Sequence, residues 1–203
     1  MAFLLCLLCS PVLWALPPDI GIPTTRESLT VDGHMHEKVW AEAVELKDFR
    51  VFRPRTDIPT RFEVRGKAIR TAGALWLAFE VYVDASKMNT PLAKRDSFPR
   101  GDRLTVQLDP GKTGRRAYTF AVTPVSLLGD AITNHEGEDD RSWDSLFDAR
   151  SVIHEDRWVS EIRIPFQSLR FEADTDTWGL QIEVVSWEHQ QSISWAPLNR
   201  DHS

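Results

Sequence analysis

Between Ala74 and Asp84 apolar side chains fall at every second position. Leu75, Leu77, Phe79, Val81 and Val83 lie on one side, and Trp76, Ala78, Glu80 and Tyr82 on the other. Side chains of an extended chain point alternately to opposite faces, so this segment reads as a strand with one face on a core. Arg103–Asp109 repeats the pattern with Leu104, Val106 and Leu108 and closes on a Pro110-Gly111 turn. Arg116–Thr123 repeats it with Tyr118, Phe120 and Val122, and Thr60–Thr71 more weakly with Phe62 and Val64. Ala149–Ile153 and Arg157–Pro165 read as a hairpin across Glu155-Asp156. Trp178–Trp187 reads as the last long strand and Ile193–Trp195 as a short terminal one. Helical spacing is confined to His36–Ala43, where Val39, Trp40 and Ala43 share a face, and to a turn at Gln167–Arg170. Strands separated by Pro, Gly and Asp turns, with no βαβ rhythm and no repeat, predict an all-β fold. The expected architecture is an antiparallel β-sandwich of jelly-roll or immunoglobulin-like type with one short N-terminal helix.

The first residues break this pattern. Residues 1–18 carry no charge, and the apolar run from Ala2 to Ala15 ends before Pro17-Pro18. Residues 1–15 read as a secretory leader cut after Ala15, although no Lys or Arg precedes the run. An uncleaved anchor is the alternative; the run is short for a span and contains Pro11. The expected organisation is a leader at 1–15, a linker at 16–25, one sandwich at 26–198 and a tail at 199–203. Both cysteines, Cys6 and Cys9, fall in the leader. The mature chain would hold no disulfide, which suits a secreted, periplasmic or cell-envelope location. A length of 203 residues with 42% hydrophobic content fits one domain with its own core. Lys plus Arg number 24 against 30 Asp plus Glu, and a net charge of −6 argues against a nucleic-acid partner.

Chemistry-bearing motifs are sparse. The chain has no G-x-S-x-G elbow, P-loop, dinucleotide fingerprint or H-E-x-x-H, and no mature cysteine nucleophile; its many carboxylates leave a glycosidase pair open by count, but nothing singles two of them out. His34-x-His36 shares a face if extended, but it sits in an Asp32-Gly33 turn with no third ligand nearby, and reads as an exposed turn. Asp130–Asp148 contains seven acidic residues and offers oxygen ligands of the kind Ca²⁺ takes, though a solvated acidic loop is the plainer reading. Eight Trp stand against two Tyr. Trp40, Trp76, Trp158 and Trp178 lie in core-like patterns. Trp143, Trp187 and Trp195 are the candidates for flat platforms on which a pyranose stacks.

The order of these signals resembles the family 9 carbohydrate-binding module and its relatives. The likeness runs over about residues 26–198. It is carried by Leu29-Thr30-Val31-Asp32-Gly33 leading to Trp40-Ala41, by Leu75–Asp84 and Asp102–Pro110, and by Tyr118-Thr119-Phe120-Ala121-Val122 with a turn at Gly129-Asp130. Ser142-Trp143-Asp144, Trp158–Phe166, Leu169-Arg170-Phe171, Trp178-Gly179, Ser186-Trp187 and Ser194-Trp195-Ala196-Pro197 complete it. The resemblance implies a secreted, non-catalytic carbohydrate-binding sandwich associated with polysaccharide degradation, with a polysaccharide or oligosaccharide as partner and structural Ca²⁺. It places the two sugar-sandwiching Trp at Trp195 and near Phe98, the family's acidic partner at Thr105 and its Arg at Ala121. The candidate contacts are therefore Trp195 and Phe98, with Trp187, Arg100 and Asp102 nearby. The nearest branch stands at the N-terminus of larger bacterial envelope proteins, which implies an outer-membrane β-barrel as a further partner. Two other readings stay open: an envelope protein-interaction domain without sugar binding, and a haem-binding cytochrome-like sandwich using Met88 as an axial ligand.

Overall fold

The computed structural model describes residues 19–196, apart from Asp57 and Ala173. The leader expected at 1–15 and the tail at 199–203 lie outside the described residues. In chain order the strands are β1 (Val44–Leu46), β2 (Arg50–Arg53), β3 (Val64–Arg70), β4 (Ala74–Val81), β5 (Arg103–Asp109) and β6 (Arg116–Val122). They continue with β7 (Leu128–Asn134), β8 (Asp139–Asp140), β9 (Asp148–Ile153), β10 (Trp158–Pro165), β11 (Gly179–Ser186) and β12 (Gln191–Ser194). They form two antiparallel sheets, one of five strands in the order β1-β3-β4-β10-β9 and one of seven in the order β2-β12-β11-β5-β6-β7-β8. The fold is the expected sandwich.

The alternating patterns decide which side chains meet between the sheets. Leu75, Leu77, Phe79 and Val81 of β4 and Ile162 and Ile164 of β10 face Leu104, Val106 and Leu108 of β5, Phe120 of β6, and Ile182 and Val184 of β11. Most of these are fully buried. Each such side chain contributes about 1.5–3 kcal/mol by leaving water.

The five-stranded sheet is buried on its outer face as well. Leu29, Val31, Met35, Val39, Trp40 and Ala43 lie over Ile69, Ala74, Trp76 and Ala78, so both faces of β4 are apolar. The expected helix is here a four-residue 3-10 turn, Lys38–Ala41, with Val39 and Trp40 buried. Four residues leave no room for an α-helical face, and tertiary burial of the Trp fixes the turn instead. Lys67 Nζ donates to the Trp40 carbonyl at 2.9 Å and holds its C-terminal end.

Glu161 of β10 anchors this cover from below. It is fully buried. Its carboxylate accepts the backbone N–H of Asp32 (3.0 Å), Gly33 (2.7 Å) and Met35 (3.2 Å), and Trp40 Nε1–H (3.2 Å). Burial raises its pKa, while the N–H groups of Gly33 and Asp32 pull it down. Gly33 is at φ +86°, and a Cβ there would come within 2.8 Å of Val152 Cγ2. The Asp32-Gly33 pair thus makes a carboxylate-binding turn that only glycine can complete.

Two segments differ from expectation. Residues 19–25, expected as linker, belong to the packed body: Ile20 and Ile22 pack on the core, and Thr24 bridges Arg70 in parallel. Gly129-Asp130, expected as a turn, lies inside β7. Asp130 points inward and is fully buried, accepting from Arg95 Nη2 at 2.5 Å and from the Ser145 N–H at 2.6 Å. A charge inside a strand is tolerated because a guanidinium 35 residues away neutralises it.

Candidate functional site

The outer face of the seven-stranded sheet has a different composition. Register sets Arg50, Ser194, Glu183, Thr105, Ala121 and Gly129 in one row across β2, β12, β11, β5, β6 and β7. The next row holds Gln181, Gln107, Thr119 and Ala131. Thr105, Thr119, Ala121, Ala131 and Ser194 are small and buried, forming a low floor. Half-buried Arg103, Gln107 and Glu183 stand over it.

A hydrogen-bonded chain crosses this floor. Gln107 Nε2 donates to Thr119 Oγ1 (3.3 Å), the Thr119 and Thr133 hydroxyls are 2.5 Å apart, and Thr133 Oγ1 donates to Asp139 Oδ1 (2.8 Å). Since Thr133 gives its proton to Asp139, the Thr119 hydroxyl donates to Thr133. The donors are therefore polarised in one direction, from amide to carboxylate. Beside the chain, Arg103 Nη2 stands 4.0 Å from Glu183 Oε1. Burial raises the Glu183 pKa, Arg103 and Arg53 oppose that, and Asp139 adds to it.

Phe98 sits at the β7 end of the face. Its ring rests on Gly129, where a Cβ would come within 3.2 Å of Cε2, so the glycine makes its seat. Arg141 lies over the ring with Cζ 4.9 Å from the centroid, and its guanidinium is 3.7 Å from Asp139. The ring expected as an open platform is thus covered by a cation–π contact.

The other expected contacts divide. Trp195 is only 6% exposed and packs into the main core, so it offers no face to a ligand. The reason is alternation. Ser192 and Ser194 point outward, so Ile193 and Trp195 point inward, and the Trp195 N–H bonds to the Ile182 carbonyl at 3.0 Å. Trp187 is 44% exposed and follows the end of β11. Asp102 is 2% exposed and acts as a latch: Oδ2 accepts the Asn89 N–H (2.7 Å) and Oδ1 the Trp187 N–H (3.1 Å). Burial raises its pKa against those two donors. Arg100 is exposed on the same loop, its carbonyl accepting from Asn89 Nδ2 at 3.2 Å. Phe98, Arg100, Asp102 and Trp187 therefore gather at one end of the seven-stranded sheet, beside Arg103, and Trp195 does not join them.

Arg103, Glu183, Gln107, Thr119 and Thr133 were not singled out as contacts by the sequence, and Asp139 only as one acid of the Asp130–Asp148 segment. Their signal is the outward position in each alternating strand, which is visible only once the pairing of β5, β6, β7 and β11 is known. Thr105 and Ala121, where the resemblance places an acid and an Arg, are directly paired. An acid and a guanidinium are nonetheless present: Glu183 lies opposite Thr105 on the next strand, and Arg103 lies two residues before it.

The remaining candidates have structural surroundings. Trp143 packs on Tyr118 (5.0 Å between centroids) and Phe120 (5.9 Å). Met88, the axial-ligand candidate, packs on the core. Among the described residues no three His, Cys, Asp or Glu side chains gather as a metal site would require.

No protein-family model matches the chain, and no curated protein matches it by sequence. Solved structures do match. A family 9 carbohydrate-binding module of Caldicellulosiruptor kristjanssonii, solved with cellotriose, is 17% identical and superposes with a TM-score of 0.58 over 86% of this chain and 83% of its own. The glucose complex of a family 9 module from the same organism gives 16% and 0.56 over 86% and 84%. A Bacteroides uniformis protein assigned as carbohydrate-binding is 14% identical with a TM-score of 0.65 over 90% and 91%. The fold is that of a family 9 carbohydrate-binding module.

Proposed function

We propose that the protein is a non-catalytic saccharide-binding module and that the outer face of its seven-stranded sheet takes the ligand. The observation that carries this reading is the polar floor itself. A polarised Gln107–Thr119–Thr133–Asp139 chain and the Arg103–Glu183 pair lie on the one sheet face without an apolar cover, beside the aromatic seat of Phe98. Sugar hydroxyls are both donors and acceptors, and such a mixed array matches them. The fold's likeness to modules solved with cellotriose and glucose supports the same assignment. Calorimetric titration of a broad glycan panel should find at least one ligand whose binding is lost in Gln107→Ala. A panel without any response overturns the proposal.

The same reading includes export. The uncharged apolar start over residues 1–15 supports secretion to the periplasm or beyond, where an association with polysaccharide degradation would operate. N-terminal sequencing of the protein isolated from its native host should begin at Leu16, and an intact Met1 would refute cleavage.

One observation favours a second role in protein contact, with an outer-membrane barrel as partner. Phe171 (41% exposed) stacks edge-on with Trp178 and Phe166, and Leu146 (80% exposed) lies beside them through the Ser168–Leu146 hydrogen bond. Co-purification with such a barrel should be lost in Phe171→Ser while glycan binding persists.

A further inference from the structure

The outer face of the seven-stranded sheet carries an excess of arginine in a chain whose net charge is −6. Arg50 and Arg53 of β2 are exposed and form no ion pair among the described residues. Arg103 has one carboxylate partner, Glu183, at the long distance of 4.0 Å. Arg141 adds a fourth guanidinium above Phe98. Against these four stand Glu183 and Asp139. Asp139 is already engaged by Thr133 and lies 3.7 Å from Arg141. Glu183 is surrounded by Arg53, Arg103 and the low floor of Thr105 and Ser194, and burial raises its pKa while the two arginines oppose the shift.

Register places Arg53 opposite Ser192, Ser192 opposite Val185 and Val185 opposite Arg103. The two guanidiniums therefore rise from the same row three strands apart, about 14 Å between backbones, with Glu183 between them one row away. Guanidinium groups present a planar fork of donors that matches a carboxylate with two parallel bonds, and Arg103 has most of its fork free. Neutral sugars are gripped mainly by stacking, yet the Phe98 ring on this face is occupied by Arg141.

We infer that this face selects an anionic saccharide, its acidic group held between Arg53 and Arg103. The inference rests on the proposed saccharide-binding role and sharpens its substrate class. The shared chemistry is a negatively charged sugar, and carboxylate and sulfate are the two sources to separate.

The test uses the purified chain and three polymers: polygalacturonate, its fully methyl-esterified form and dextran sulfate, with cello-oligosaccharides as the neutral arm. Polygalacturonate should bind about tenfold or more tightly than its methyl ester, and Arg103→Gln and Arg53→Gln should each weaken it about tenfold. Raising salt from about 50 mM to about 500 mM should weaken it too, because the site is partly exposed. Arg115→Gln, in the exposed β5–β6 turn, removes the same charge elsewhere and should leave binding unchanged. Unaltered thermal unfolding of the Gln variants confirms that they fold. Tighter binding of dextran sulfate, with the same dependence on Arg103, supports the inference and assigns sulfate as the source. Equal or tighter binding of the ester or the cello-oligosaccharides overturns the anionic preference but leaves saccharide binding standing. An equal loss in Arg115→Gln reduces the effect to non-specific attraction and overturns it. No binding to any arm overturns both this inference and the function on which it rests.

Discussion

The two sheets of the sandwich treat their outer faces in opposite ways. The five-stranded sheet carries an apolar cover, Leu29 to Ala43, anchored by the buried carboxylate of Glu161. The seven-stranded sheet presents Thr, Ser, Gln and Arg, with Gln107, Thr119, Thr133 and Asp139 joined in one hydrogen-bonded chain. A sheet needs only one buried face to be stable. On the covered side, then, stability was extended into a third layer. On the other side the outward side chains carry no such apolar layer, and that is the face we propose for the ligand. Substitutions should divide along the same line.

The largest effects should come from the apolar side chains of the cover and core. Trp40→Ala and Trp195→Ala are each expected to cost about 3–5 kcal/mol in urea unfolding. Intact stability in Trp195→Ala would instead contradict the packing of its ring in the main core.

Next comes Glu161→Ala, which strands four donors and should cost about 3 kcal/mol or more. Its pH dependence tests the same point. Burial raises the folded-state pKa of Glu161 above the unfolded value of 4.5, so the folded state holds the proton more tightly. Its contribution to stability is therefore full below pH 4.5 and falls as pH rises through the folded-state value. The stability of the wild type minus that of Glu161→Gln should decline with rising pH from 4.5 and then level off; a rise would contradict the assigned cause.

Smaller effects belong to the polar face. Thr119→Val breaks the polarised chain at its middle and leaves Gln107 without its acceptor. It should cost about 1 kcal/mol of stability and weaken glycan binding. Trp187→Ala should change stability by less than about 0.5 kcal/mol and show only in binding. A Trp187→Ala variant as unstable as Trp40→Ala would erase the distinction between the two sides.

Much of the architecture was legible in the chain because its long strands alternate strictly. β5, β6, β10 and β11 lie where that pattern places them, within a residue at each end, and β4 starts as expected at Ala74 but ends at Val81, three residues before Asp84. The short strands β1, β2 and β8 hold too few residues for a period to show. β7 was hidden by Asp130, whose inward position depends on Arg95 and Ser145, partners that no local pattern reveals. The candidate site was legible in part. Phe98, Arg100, Asp102 and Trp187 do gather at one end of the sheet, where the Asp102 carboxylate ties the Asn89 N–H to the Trp187 N–H. Trp195 faces inward for a reason present in the sequence, the continuation of alternation from Ile193. The central polar array was not legible, because it joins outward residues from strands far apart in the chain.

Asp102 has a consequence for binding itself. By fastening the Asn89 loop to the backbone of Trp187, 85 residues beyond Asp102 itself, it joins two distant segments into one unit. The conformational entropy of that rim is then lost when the chain folds and not when a ligand arrives. The rim of the face is preorganised, and any ligand it meets is spared the cost of ordering it.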